Sequence, residues 1–586
     1  MSAQKWSDSR FTAESGHLRR ARENPTEAPG GRDAGKRRGG AMGGNVLDKR
    51  AVFQRDATGL VREASTFDAF MMNFACNGPI GFAIAWSVMW ALYAIPGTDM
   101  ILAMFIALVP AVLICVTFGM LTAAMPRSGG DYVFVSRILH PIPGLASNLA
   151  VACAQVIFTG LVAYWVSSMT LGPSFSVVGY LTGSQAWVKL SEAVVSPGWS
   201  FTIGLVVIAA VGVILAAGIK TSLKVVNVTM IIGLVGLLAV VALLVATTPE
   251  IFVAKFNAFA QAYTHQPDSY TYIINTARDS GLNVPGYHPW ASTWRTLPIA
   301  VGLLAWSWWS TYISGEVKGS TSVKRQMSLM LVPTLVNGLL MILVIWLLFE
   351  KIGYTFLASA TYLSTVVPSA YPFPVAPFYN LFASLISGSR VVNVLLALSF
   401  IAWPIPICIT MLTMVSRSVF AWGFDGLVPY KLAEVSERYH SPTLAIGIMC
   451  ALSAVCLAVT VFGGGLVYRL IAMTTMFIYL AWLIVGITGT LFPFLKPDMY
   501  RTSPANIKIL GIPAITLAGG AMTVAVVWLW SLFVRHPELG TATLWANFGP
   551  SICVLVGSVI WYCVAAAIRR RQGVNLRAVY QEIPPE

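Results

Sequence analysis

Twelve runs of predominantly apolar residues follow one another along this chain, near 67–92, 99–124, 144–171, 200–218, 225–247, 297–315, 326–349, 391–416, 443–463, 467–494, 511–534 and 544–567. Most have at least the ~20 residues that a helix needs to cross the hydrocarbon core of a bilayer. Hydrocarbon offers no water to a backbone N–H or C=O, so such runs are confined to helices that satisfy those groups internally. The chain is 56% hydrophobic and 11% charged, whereas a soluble domain carries roughly 25% charged residues. The predicted fold is an all-α integral membrane protein with 12 transmembrane helices.

The first run departs from this pattern at its centre. Phe67 to Trp90 reads FDAFMMNFACNGPIGFAIAWSVMW, with Asn77-Gly78-Pro79-Ile80-Gly81 in the middle. Proline has no N–H and clashes with the preceding turn, and flanking glycines lower the cost of leaving the helical well. An opened turn in hydrocarbon exposes unpaired polar groups, each costing several kcal/mol. Such a break survives where it faces protein or a polar cavity. These five residues are therefore predicted to form a binding site for a small polar solute.

Charge sets the orientation. The net charge is +14. The twelve-run layout puts 30 of the 38 Lys and Arg residues in the two tails and the connections that follow even-numbered runs, and 8 on the other side. The positive-inside rule then places both termini in the cytoplasm and makes nucleic acid an unneeded explanation of the charge. Residues 1–65 form a polar N-terminal tail, largely disordered by composition. Its stretch from Val52 to Ser65 is patterned enough to pack under the bundle. The KRRGG segment reads either as a solvated tail or as a nuclear or lipid-binding signal. Residues 66–494 are predicted as a ten-helix core with repeats at about 66–247 and 297–494, residues 495–568 as two peripheral helices, and residues 569–586 as a cytoplasmic tail.

The ionisable and sulfur residues narrow the function classes. The eight cysteines all fall inside apolar runs, without CxxC spacing or a His partner, and read as packing thiols; no metal or cofactor is expected. Asp68, Glu316 and Arg469 lie at run ends, and no acid, His or Lys sits at mid-depth, which argues against a proton pump or voltage sensor. No Walker-type phosphate loop or soluble catalytic domain is present, so no enzymatic activity is expected. Glu316 reads either as a proton carrier or as a salt-bridge partner of Lys318 or Arg325. Two connections on the outer side are long, 248–296 and 350–390. The first carries Tyr263, Tyr270, Tyr272, Tyr287, Trp290 and Trp294. They read either as an outer lid or as aromatics at headgroup depth.

Further candidates lie in three other runs. The sixth contains Trp306-Ser307-Trp308-Trp309-Ser310-Thr311-Tyr312. It reads either as a packing strip or as a site in which a tryptophan walls the pocket and Ser307 or Ser310 supplies hydrogen bonds. Interrupted runs at corresponding places in two halves point to a midplane site between inverted repeats. The eighth carries Trp403 beside Pro404 and Pro406, with Ser399 one turn earlier. The third contributes Gln155, which reads as a ligand or as interhelical glue.

Three motifs carry a family resemblance. Met125-Pro126-Arg127-Ser128-Gly129-Gly130-Asp131-Tyr132-Val133-Phe134-Val135 resembles the P-x-S-G-G-x-Y loop of the amino acid–polyamine–organocation (APC) superfamily. Gly315-Glu316-Val317-Lys318 resembles the element closing that family's sixth span. Phe424-Asp425-Gly426-Leu427-Val428-Pro429, with His440-Ser441-Pro442, resembles its pattern after span eight. The resemblance covers about residues 52–570. It implies a leucine-transporter-like 5+5 inverted repeat with two extra C-terminal helices, and a plasma-membrane permease that moves amino acids or related amines by alternating access. It further implies that Asn77, Gly78, Pro79, Ile80 and Gly81 receive a substrate carboxylate, and that Trp306 to Ser310 contact the amino group or side chain. The chain has Trp308-Trp309-Ser310 where the family usually carries a glycine. Proton-coupled relatives use a lysine within span five, where this chain has Lys224 only at the mouth. Sodium-coupled relatives use a Ser/Thr pair in span eight, where only Ser399 is near. The coupling ion is therefore open. The alternatives are a carrier of other small organic cations or nucleobases, and a non-transporting sensor on a transporter fold.

Overall fold

Where the sequence keeps an unbroken apolar run, the chain forms one long helix. The computed structural model describes residues 60, 62–76, 84, 88–284, 290–373, 376–464, 466–536, 539–540 and 543–581. Among them, ten helices are long and apolar enough to cross a membrane. In order, the first half contains α1 Thr66–Cys76, α2 Met89–Ala94, α3 Met100–Ala124, α4 Asp131–Ile138, α5 Pro141–Trp165, α6 Gly172–Thr182, α7 Gln185–Val195, α8 Pro197–Ala216 and α9 Ile219–Val245. After α10 Pro249–Thr264 and α11 Ser269–Asp279 come α12 Ala291–Leu304, α13 Val323–Lys351, α14 Tyr354–Val366, α15 Tyr379–Ser387, α16 Arg390–Ala402, α17 Pro404–Phe424, α18 Thr443–Phe462 and α19 Leu466–Leu495. The chain ends with α20 Ala514–Arg535, α21 Leu544–Arg571 and the short α22 Leu576–Val579.

The two expected spans absent from the ten are the first and the sixth. Helix α1 has 11 residues and α12 has 14, each short of a crossing. Asn77, Gly78, Pro79, Ile80 and Gly81 lie outside the described residues. The sixth is described throughout. Its helix stops at Leu304, the chain turns through Ala305–Trp308, and a 3-10 turn follows at Trp309–Ile313. A second irregularity follows Trp165, where the helix loosens into a π turn at Val166–Leu171. Ser167 Oγ bonds the Val194 carbonyl there at 2.7 Å and meets Ser200 Oγ at 2.6 Å.

Packing relates the two halves. Helix α1 packs on α13, and α12 packs on α3. Helix α5 packs on α18 and α19, while α17 packs on α8 and α9. The long connections between α9 and α12 and between α13 and α16 are partly helical. Tyr270 stacks on Phe356 with centroids 4.4 Å apart and planes at 8°, and its hydroxyl donates to the Ile352 carbonyl at 2.8 Å. Tyr263 packs against Tyr180 and Phe373. By contrast Trp290 and Trp294 are exposed and stack on each other. The connections therefore hold both packed and surface aromatics, and Tyr287 lies outside the described residues.

The residues before α1 pack beneath the bundle. Ala64 and Val317 form a parallel bridge, through Ala64 N–H to the Glu316 carbonyl at 3.0 Å and Lys318 N–H to the Ala64 carbonyl at 3.1 Å. The C-terminal end docks at the same face. The Tyr132 and Tyr580 hydroxyls meet at 3.0 Å, and the Arg137 guanidinium lies over both rings.

Candidate functional site

The break after Leu304 leaves the start of the 3-10 turn at Trp309–Ile313 without the partners a continuous helix would give it, and buried polar groups need partners. Asn73, on α1 and fully buried, supplies them. Its Oδ1 accepts from the Ser310 N–H at 2.8 Å, and its Nδ2 donates to Ser310 Oγ and to the Leu329 carbonyl, both at 2.8 Å. Ser307 Oγ donates to the Asn73 carbonyl at 3.3 Å. Asn337 on α13 donates to the Phe74 carbonyl at 3.0 Å. Helix α1 and the broken sixth run are thus joined by side chains beside the interruption after Leu304.

Beside this junction is a 230 Å³ cavity. Cys76 at the end of α1 and Trp90 on α2 form one wall. Phe158, Val162 and Trp165 of α5 form a second, and Gly302, Trp306 and Trp309 a third. Ile407 and Met411 of α17, Ile478, Tyr479 and Trp482 of α19, and Phe533 and Leu539 are among the other lining residues. Trp306 meets Trp309 edge-on at 5.7 Å and 86°, and Trp482 at 6.3 Å and 59°. The Tyr479 hydroxyl donates to the Pro298 carbonyl at 3.0 Å. No Asp, Glu, Lys, Arg or His lines the cavity among the described residues.

From the cavity toward the face that carries Thr66, the helices are closed by a ladder of buried polar pairs. Thr122 meets Thr311 at 3.0 Å, and the Tyr312 hydroxyl donates to Asp131 at 2.5 Å. Asp131 also accepts from Ser147 and, at 2.7 Å, from Asn148. Beyond them lie two buried ion pairs, Arg417 with Glu316 at 2.8 Å and Arg137 with Asp425 at 2.7 Å. The partner of Glu316 is thus neither Lys318 nor Arg325, as the sequence suggested. Arg325 instead donates to the Lys318 and Gly319 carbonyls. Burial pushes the Asp131 carboxyl above its ordinary value, against the hydrogen bonds of Ser147, Tyr312 and Asn148, which pull it down.

Of the candidates in the sixth run, Trp306 lines the cavity, as does its neighbour Trp309. Ser307 and Ser310 are buried in the junction with Asn73. Trp308 is stacked on Phe118 of α3 at 4.6 Å and donates to the Ala305 carbonyl. Gln155 is buried one turn before Phe158, and its Oε1 has no partner among the described residues. Ser399 and Trp403 are not among the lining residues. They pack on Gly236 and Gly233 of α9, where an added Cβ would meet Ser399 Oγ at 1.7 Å and the Trp403 ring at 2.9 Å. Asn73, Trp90, Trp165, Tyr479 and Trp482 are contributors that residue type alone did not single out. For Asn73 the available signal was a lone amide in an apolar run, four residues before the Asn-Gly-Pro break.

A family model described as amino acid permease matches residues 65–567 of this chain. A search of curated proteins finds no match.

Proposed function

The chain belongs to the amino acid permease family of the APC superfamily, and from that premise we infer that it is a secondary active transporter moving amino acids or related amines by alternating access. One observation carries the reading: the central cavity lies between the end of α1 and the broken sixth run, while buried ion pairs close the face carrying Thr66. A solute in the cavity is thus separated from that face by contacts that can form and break as a set. The proposed cycle opens this ladder while the cavity closes on the side of Phe533 and Leu539, which line its other end.

We propose 12 spans in the 5+5 arrangement, the first and sixth being discontinuous. Reciprocal packing supports it: α1 on α13 answers α12 on α3, and α5 on α18 answers α17 on α8. The same layout, with 30 of 38 basic residues on the side of the tails, supports a plasma-membrane orientation with both termini cytoplasmic. The carboxylate role proposed for Asn77 to Gly81 rests on their sequence and on the resemblance. Half-helix ends favour it, because freed N–H groups and the positive helix end attract an anion.

Uptake of labelled amino acids into proteoliposomes tests the reading. Accumulation is expected with or without an internal counter-substrate, and the two arms separate uniport from exchange. No uptake in either arm would remove the transporter assignment.

A further inference from the structure

We propose that the cavity receives a bulky, uncharged aromatic side chain, so that the preferred substrates are aromatic amino acids; this rests on the transport reading above. Six rings carry the argument. Trp90, Trp165, Trp306, Trp309, Tyr479 and Trp482 come from four separate stretches of chain and meet around one space. Their edge-on and tilted geometries leave faces and edges of several rings turned toward neighbours, the arrangement in which aromatic groups attract one another.

Size agrees with this. An apolar cavity of about 150 Å³ admits benzene. The 230 Å³ here accommodates a substituted or bicyclic ring, and a methyl side chain would leave most of it unfilled.

Charge selects in the same direction. With no ionisable side chain lining the cavity among the described residues, a lysine, arginine, aspartate or glutamate side chain would shed its water with no counter-ion in return. Ring faces also suit a quaternary ammonium, but no carboxylate lines the cavity among the described residues, so a permanent cation would enter without a counter-ion while an uncharged ring would not pay that cost.

The test is a thermal-shift titration of the purified full-length protein with the twenty amino acids and tetramethylammonium, followed by competition for uptake in proteoliposomes. Tyrosine, tryptophan and phenylalanine are expected to give the largest shifts, with lysine, arginine, aspartate and glutamate at least about 100-fold weaker. Trp306→Ala, which removes one ring from the wall, should weaken binding of all three aromatic amino acids about 2–10-fold. The wild-type ranking stands as a test even if the variant folds poorly. Tightest binding of alanine or glycine, or stabilisation by tetramethylammonium but not by aromatic amino acids, overturns the aromatic assignment and leaves the transporter reading intact. Binding and uptake of no amino acid removes both.

Discussion

Arg417 holds Glu316 by two parallel contacts, Nε to Oε1 at 2.9 Å and Nη2 to Oε2 at 2.8 Å, with both side chains 1% exposed. The pair joins α17 to the end of the sixth run and forms part of the closed ladder. Removing one partner strands a buried charge, which costs about 3–5 kcal/mol, whereas replacing both by apolar groups of similar size is often neutral. Arg417→Ala is therefore expected to lower the melting temperature by several degrees, and Arg417→Met combined with Glu316→Leu to recover most of it. Equal loss in the single and double variants would show that the ion pair itself stabilises the closed face.

Asn73→Ala removes the partner of the Ser310 N–H and Ser310 Oγ, as well as the donor to the Leu329 carbonyl. A buried group left unsatisfied costs about 1–3 kcal/mol. The variant is expected to melt earlier and to lose substrate-induced stabilisation, because the junction beside the cavity loosens. Unchanged ligand response in a destabilised protein would confine Asn73 to a structural role.

Asp131 lies outside the spanning helices, and burial raises its folded-state pKa above the ordinary 3.8. The folded state then holds the proton more tightly than the unfolded one. The resulting stability is full below the unfolded value and is lost as pH rises through the folded value. Relative to Asp131→Asn, the wild type should lose stability as pH rises above the ordinary carboxyl value of 3.8. Melting temperatures of the pair across that range provide the check, and a constant difference would count against the raised value.

Tyr580 contributes a hydroxyl contact with Tyr132 and a ring beneath Arg137. Tyr580→Phe keeps the ring and should cost about 1 kcal/mol. Tyr580→Ala also loses the cation–π contact, a further 0.5–1 kcal/mol or roughly so. Thermal melts of the two variants should fall in that order, and identical melts would mean that the ring contact contributes nothing.

Gly78→Leu places a branched side chain in the proposed carboxylate turn. It is expected to abolish ligand-induced stabilisation while expression and monodispersity stay near wild type. Wild-type affinity in this variant would take the first run out of the site.

The long helices were legible because hydrocarbon leaves an apolar run of 20 or more residues few alternatives to a helix. The interruption after Leu304 was harder to read. Trp308-Trp309-Ser310 carries no glycine or proline to announce it, because the freed groups find their partner on Asn73, more than 200 residues away. Ser399 and Trp403 illustrate the converse: a hydroxyl and an indole beside two prolines suggest a ligand site, yet both fill space against Gly233 and Gly236. Those two glycines, one turn apart in α9, were the signal of close helix approach. Glu316 was paired with sequence neighbours because they were near in the chain, whereas its partner stands 101 residues away. Which aromatic faces the cavity depends on helix rotation, and the π turn after Trp165 is a local irregularity that a regular helical period does not represent.

Indole emission responds to the polarity around the ring. Among the described residues, five of the chain's 19 tryptophans border the central cavity. Exchanging water for an organic ligand there would shift the ultraviolet emission of a large share of the fluorophores at once, and an aromatic ligand would quench them by contact. The protein therefore carries its own optical gauge of occupancy, readable without a label or a radioactive solute, in detergent or in a lipid disc.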